Sequence, residues 1–152
     1  MIFERAFSYK PMEGEREKAS NSYLMSLVAI IAGMPLPIVN FLATVLFYLA
    51  NLKQSYFVRW HCIQAVFVQL LLFVINVIAI SWLISIIFGG VELTNPYIAY
   101  VIMALIVNAT KFVITIYSAI MVNRGRHVEW VIFGPLTNLL CKPNEEVQKE
   151  AV

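Results

Sequence analysis

Aspartate does not occur in this 152-residue sequence, and none of the nine glutamates falls within its three long apolar stretches. Those stretches therefore hold no aspartyl chemistry and no carboxylate-rich cation site. The two cysteines, Cys62 and Cys141, are too few for a disulfide framework and lack paired zinc spacing, so they read as packing residues and no metal site is expected. Charged residues make up only 13% of the chain, against about a quarter in a soluble domain. With a net charge of +2 and no basic run, nothing points to a nucleic acid partner. A Gly-x-Ser-x-Gly elbow, a His-Glu-x-x-His pair and a glycine-rich phosphate loop are all missing, and no intramembrane histidine is available for haem. These absences point to a protein that is not an enzyme and carries no cofactor.

Apolar residues, by contrast, make up 61% of the chain, and the mean hydropathy is +0.78, too apolar for an ordinary soluble domain. Three stretches, Tyr23 to Ala50, Cys62 to Phe88 and Pro96 to Val122, are each long enough to cross a hydrocarbon core of about 30 Å. The lipid bilayer is thus the first partner expected. Residues 1–21 mix four basic side chains with four glutamates, which suits neither a cleaved signal peptide nor an acid-poor transit peptide. They read as a cytoplasmic tail.

The first stretch contains Gly33-Met34-Pro35-Leu36-Pro37, where two prolines remove backbone donors and push their predecessors out of helical geometry. Charge decides between a kink and a turn. Lys53 and Arg59 occupy one loop, Arg124, Arg126, Lys142 and Lys149 follow the last stretch, and the loop Gly89 to Asn95 holds only Glu92. Because Lys and Arg collect on the cytoplasmic side, the opening stretch must go in and come back. The expected fold is all-α and integral to the membrane: a bundle of four helical arms at about 22–34, 36–52, 60–88 and 96–123, the first two forming a proline-broken hairpin. Both termini are then cytoplasmic. Residues 128–140 are too short to span and read as an interfacial segment, and 142–152 as a second tail beyond a membrane domain of 22–141.

Lys111 stands near the middle of its stretch, where a basic side chain costs about 2.5–3.5 kcal/mol on insertion scales. It shares a helical stripe with Asn108 and Thr115; Asn40 and Thr44 form a second stripe, and Gln69 and Asn76 a third. These faces suit either interhelical hydrogen bonding or a partly hydrated cavity around Lys111. With no buried carboxylate to pair it, Lys111 is expected to be incompletely satisfied and to favour a protein partner or a homo-oligomer. His61 and His127 fall at the cytoplasmic boundary, close enough to meet, and read as interfacial residues.

The most distinctive string runs from Ser55 to Ala65, with Phe57, Arg59, His61, Gln64 and Ala65 in a Phe-Val-Arg-x-His-x-x-Gln-Ala pattern. Physically it opens a helix, with aromatics at headgroup level and Arg59 towards phosphate. The string resembles the signature of the bacterial Tic-twenty-like family, small four-helix membrane proteins related to a subunit of the chloroplast inner-envelope import translocon. That resemblance implies four helical arms with both termini cytoplasmic, in a bacterial inner membrane. Small size, short loops and polar helix faces without catalytic groups, taken with that likeness, suggest a non-enzymatic subunit of a membrane complex for protein translocation or membrane-protein biogenesis. The alternative is a small-solute or anion channel using a polar cavity around Lys111.

Overall fold

The computed structural model describes residues 2–5, 7, 9–28 and 37–141. In chain order these form β1 (Ile2–Arg5), α1 (Glu13–Met25), α2 (Pro37–Ala50), α3 (Tyr56–Gly89), α4 (Asn95–Asn123), β2 (His127–Trp130) and α5 (Phe133–Leu140). The described chain is mostly helical, and α3 and α4 are long and apolar enough to cross a membrane. With 34 and 29 residues they extend for about 51 and 44 Å at helical rise. Both exceed the hydrocarbon core.

Local chemistry sets the helix ends. Glu13 and Glu15 place negative charge in the first turn of α1, and the Glu15 carboxylate accepts the Met12 backbone N–H at 2.7 Å. Pro96 sits in the first turn of α4, where a missing N–H leaves no helical bond unmade. Helix α4 closes with Gly125 N–H on Val122 O (2.9 Å) and Arg126 N–H on Met121 O (3.1 Å), which requires Gly125 to be left-handed at φ 82°. A Cβ at Gly125 would also stand 3.1 Å from Arg16 Cδ. Gly125→Ala should therefore cost about 1–2 kcal/mol. In detergent its thermal midpoint should fall by about 2–8 °C; an unshifted midpoint would mean the turn accepts any residue.

Packing is concentrated at one end. Every buried residue of α3 lies between Phe57 and Leu72, where Phe57, Ala65 and Val68 join Ala19 and Tyr23 of α1, Val122 of α4 and Val128 and Trp130 of β2. Helix α2 lies along α3, with Phe41 stacked on Phe73 at 5.1 Å. Beyond Leu72, α3 and the facing part of α4 expose apolar side chains such as Ile84, Ile87, Ile98 and Ile102. Trp82 packs edge-on against Tyr97 within this exposed pair, the kind of aromatic found at a membrane boundary.

A two-stranded antiparallel sheet stands where the sequence predicts no strand. β1 pairs with β2 in the register Ile2 with Trp130 through Arg5 with His127. Glu4 fixes the strand to α4: its carboxylate accepts Tyr117 OH and Arg126 Nη1, both at 2.6 Å, and these bonds hold its pKa below the usual carboxylate value. Residues 1–21, read as a tail, thus contain β1 and most of α1. The buried face of α1 is Ala19, Ser20, Ser22 and Tyr23, too small and polar to register as an apolar span. Residues 128–140, read as an interfacial segment, hold most of the buried strand β2 and the short helix α5. The reversal expected at Gly33 to Leu36 and the tail 142–152 lie outside the described residues.

Candidate functional site

Two buried polar networks occupy the packed end. The first is built on Lys111, which is only 7% exposed. Its ammonium donates to Ser26 O at 2.9 Å, Ser26 Oγ at 3.0 Å and Gln69 Oε1 at 3.1 Å. Three N–H donors meet three acceptors, so the expectation of an incompletely satisfied lysine is corrected. Ser26 follows the last residue of α1, where carbonyls lack helical partners and the dipole is negative. Lys111 is therefore a C-terminal cap supplied by another helix. Ser26 was missed in the sequence because nothing marks a serine at the edge of an apolar run as a cation acceptor.

Beside Lys111 a cleft of about 300 Å³ opens between α2, α3 and α4, lined by Asn40, Gln69, Asn76 and Asn108 among apolar residues. Asn76 and Asn108 exchange amide hydrogen bonds at 3.2 and 2.8 Å across α3 and α4. Thr44 is buried and donates to Asn40 O at 2.7 Å, while Thr115 is buried on the Lys111 face of α4. Sequence reasoning placed these residues on stripes, and the structure brings Asn40, Gln69, Asn76, Asn108 and Lys111 to one cleft. On the other side of the α3–α4 pair Lys111 borders an apolar groove of about 210 Å³ that reaches Trp130 and Phe133.

The second network joins α1, α3 and the sheet. Gln64, fully buried, donates from Nε2 to Tyr23 OH at 2.7 Å and to Val128 O at 3.1 Å, and accepts Trp130 N–H at 3.1 Å on Oε1. Tyr23 accepts from Gln64, so its own proton goes to His61 Nδ1 at 2.8 Å. His61 Nε2 then carries the ring proton and donates to His127 Nδ1 at 3.3 Å. His127 Nε2 in turn donates to Glu129 Oε1 at 3.2 Å, and Arg5 closes the series 3.5 Å from Glu129 Oε2. The donor order runs in one direction and needs both imidazoles neutral. Burial pushes His127 below the usual histidine value, with Glu129 acting against it.

Both histidines are buried inside the protein, enclosed by Phe57, Trp60 and Phe7. Of the distinctive string, Phe57 and Ala65 pack in the core and His61 and Gln64 carry the network, while Arg59 approaches Cys141 Sγ at 3.9 Å. Sequence reasoning did not find Tyr23 or Glu129. A Tyr, His, Gln and Glu spread over three elements have no common spacing. Among the described residues, no group of three or more His, Cys, Asp or Glu side chains could hold a metal ion.

Residues 19–140 match the magnetosome magnetite crystal formation protein family. The chain belongs to that family. No curated protein and no solved structure matches it significantly. The matched stretch takes in α2 to α5, most of α1, the Lys111 site and all of the histidine network except Arg5. This magnetosome assignment overturns the Tic-twenty-like resemblance, and with it both functions drawn from the sequence: the translocation or biogenesis subunit and the anion channel around Lys111. The physical reason lies in the string itself. Its aromatics, histidine and glutamine pack and hydrogen-bond the start of α3, a structural task that any small helical membrane protein can set.

Proposed function

We propose that this magnetosome-family protein is a multi-pass component of a bacterial magnetosome membrane that supports magnetite crystal formation as a non-enzymatic scaffold. The observation that carries the reading is the family match over residues 19–140, which encloses both helices able to cross a membrane. The proposed topology keeps both termini cytoplasmic. β1 and β2 bring the first residues and the segment after α4 to one end, and the Lys18 ammonium, 3.0 Å from Gln54 Oε1, ties α1 to the basic α2–α3 loop there. The opposite loop, Gly89 to Asn95, carries only Glu92. In this arrangement α1 and α2 belong to the first two arms of a four-arm bundle. Exposed Leu42, Leu46, Ile84 and Ile106 face lipid or neighbouring membrane proteins, including further copies of the chain.

The role of the two networks in this reading is mechanical. Charge-assisted and amide hydrogen bonds lock helices that apolar contact alone would leave free to slide in lipid. The test is deletion of the gene in a magnetosome-forming bacterium, followed by electron microscopy of the crystals. Crystals should be smaller or misshapen and should recover on complementation; crystals of normal size, shape and number would reject the role. Carbonate extraction of isolated magnetosomes should leave the protein in the membrane, and its release would reject the multi-pass reading.

A further inference from the structure

We propose that the contact between His61 and His127 is an acid-sensitive latch that holds the β1–β2 sheet against α3 and releases it when a proton enters the pair. What matters is where protons can sit. His61 Nε2 and His127 Nδ1 face each other at 3.3 Å, and only one of the two can carry hydrogen. His61 cannot move its proton to Nδ1, because Tyr23 OH already accepts from Gln64 and would be left with a proton and no acceptor. His127 Nε2 is committed to Glu129. An added proton therefore sets N–H against N–H, or strands a buried donor, whichever ring takes it.

The surroundings give that proton little relief. From α1 the facing groups are Tyr23 and, beside it, Cys62 of α3; from β2 the carboxylate of Glu129; and from β1 Arg5, which is the register partner of His127 and already bonded to Glu129. Arg126 at the foot of β2 is engaged by Glu4. Phe7, Phe57 and Trp60 fill the remaining sides with aromatic rings. Once the sheet lifts away, His127 enters water and protonates normally. The latched form resists the proton and the released form accepts it, so the latch is closed above the ordinary histidine value of about 6.5 and weakens as pH falls below it. One proton coupled to release raises the opening constant about tenfold per pH unit.

The experiment is hydrogen exchange on the full-length protein in phospholipid nanodiscs from pH 5 to 8, following backbone amides of Ile2 to Arg5 and Val128 to Trp130 with intrinsic chemical rates divided out. In the native sequence, opening should be flat above pH 7 and climb about tenfold per unit below 6.5. His127→Asn supplies an oxygen acceptor to His61 without titrating, and its opening should be independent of pH. Native opening that does not change with pH, or an Asn variant with the native slope, overturns the latch. Should His127→Asn fail to fold, Glu129→Gln decides. Removing the carboxylate makes the latched imidazole harder still to protonate, so the climb should continue to lower pH than in the native protein, and a climb that levels off at the native pH rejects the idea.

Discussion

Lys111→Met should lower the stability of the folded protein by about 2–5 kcal/mol, a thermal midpoint loss of about 5–15 °C, and should loosen the C-terminal end of α1 first. Two opposed effects set that figure. Three hydrogen bonds from an ammonium, to Ser26 O, Ser26 Oγ and Gln69 Oε1, are worth about 1.5–3 kcal/mol each. Removing a cation from an apolar stretch returns about 2.5–3.5 kcal/mol. The bonds win, because methionine fills the volume but leaves the last carbonyl of the α1 turn and the Gln69 oxygen unpartnered. Exchange of the amides from Tyr23 to Leu27 should accelerate in the variant before the rest of the protein does. A methionine variant as stable as the native protein, with those amides still protected, would mean that the lysine cap contributes nothing net.

Gln64→Leu should be the more damaging change, at about 3–5 kcal/mol. Leucine is close in volume, so the loss is not one of packing. The amide bridges Tyr23, Val128 and Trp130, with a donor for Tyr23 OH and Val128 O and an acceptor for Trp130 N–H. The substitution leaves a strand carbonyl and a strand N–H unpaired in a fully buried place, and it frees the tyrosine hydroxyl to turn, breaking the donor order that runs to His61. Trp130 is itself a partner of the amide and Trp60 packs against His61 and His127, so tryptophan fluorescence during thermal unfolding reads the effect directly. A leucine variant that melts within about 2 °C of the native protein would contradict this role for the amide.

The two long helices were legible because unbroken apolar runs are their own signal, and α3 and α4 occupy the ground marked by Cys62 to Phe88 and Pro96 to Val122. The polar stripes were legible as well, since Asn108, Lys111 and Thr115 fall at helical steps. What lay beyond reach was pairing. Lys111 meets Ser26 at the end of α1 and Gln69 on α3, and no spacing in the chain announces either contact. The sheet was hidden for a related reason: strands of four residues each, far apart in sequence, show too little alternation to register. The opening strand and helix were hidden by composition, because Glu4, Arg5 and Glu15 look like solvent-facing tail until their partners are known. Function was misjudged from the one string that looked distinctive, Phe57 to Ala65, whose residues turn out to be committed to packing and hydrogen bonding inside the chain.

The pairing of Ile2 with Trp130 also imposes an order on biosynthesis. The first strand leaves the ribosome early and finds no companion until α4 and the strand after it have been synthesised, an interval of about 6–25 seconds at ordinary elongation rates. Throughout that wait it is unpaired polypeptide, open to nascent-chain chaperones and proteases. Closing it comes late in assembly, a seal set only on chains whose two long helices have already been made.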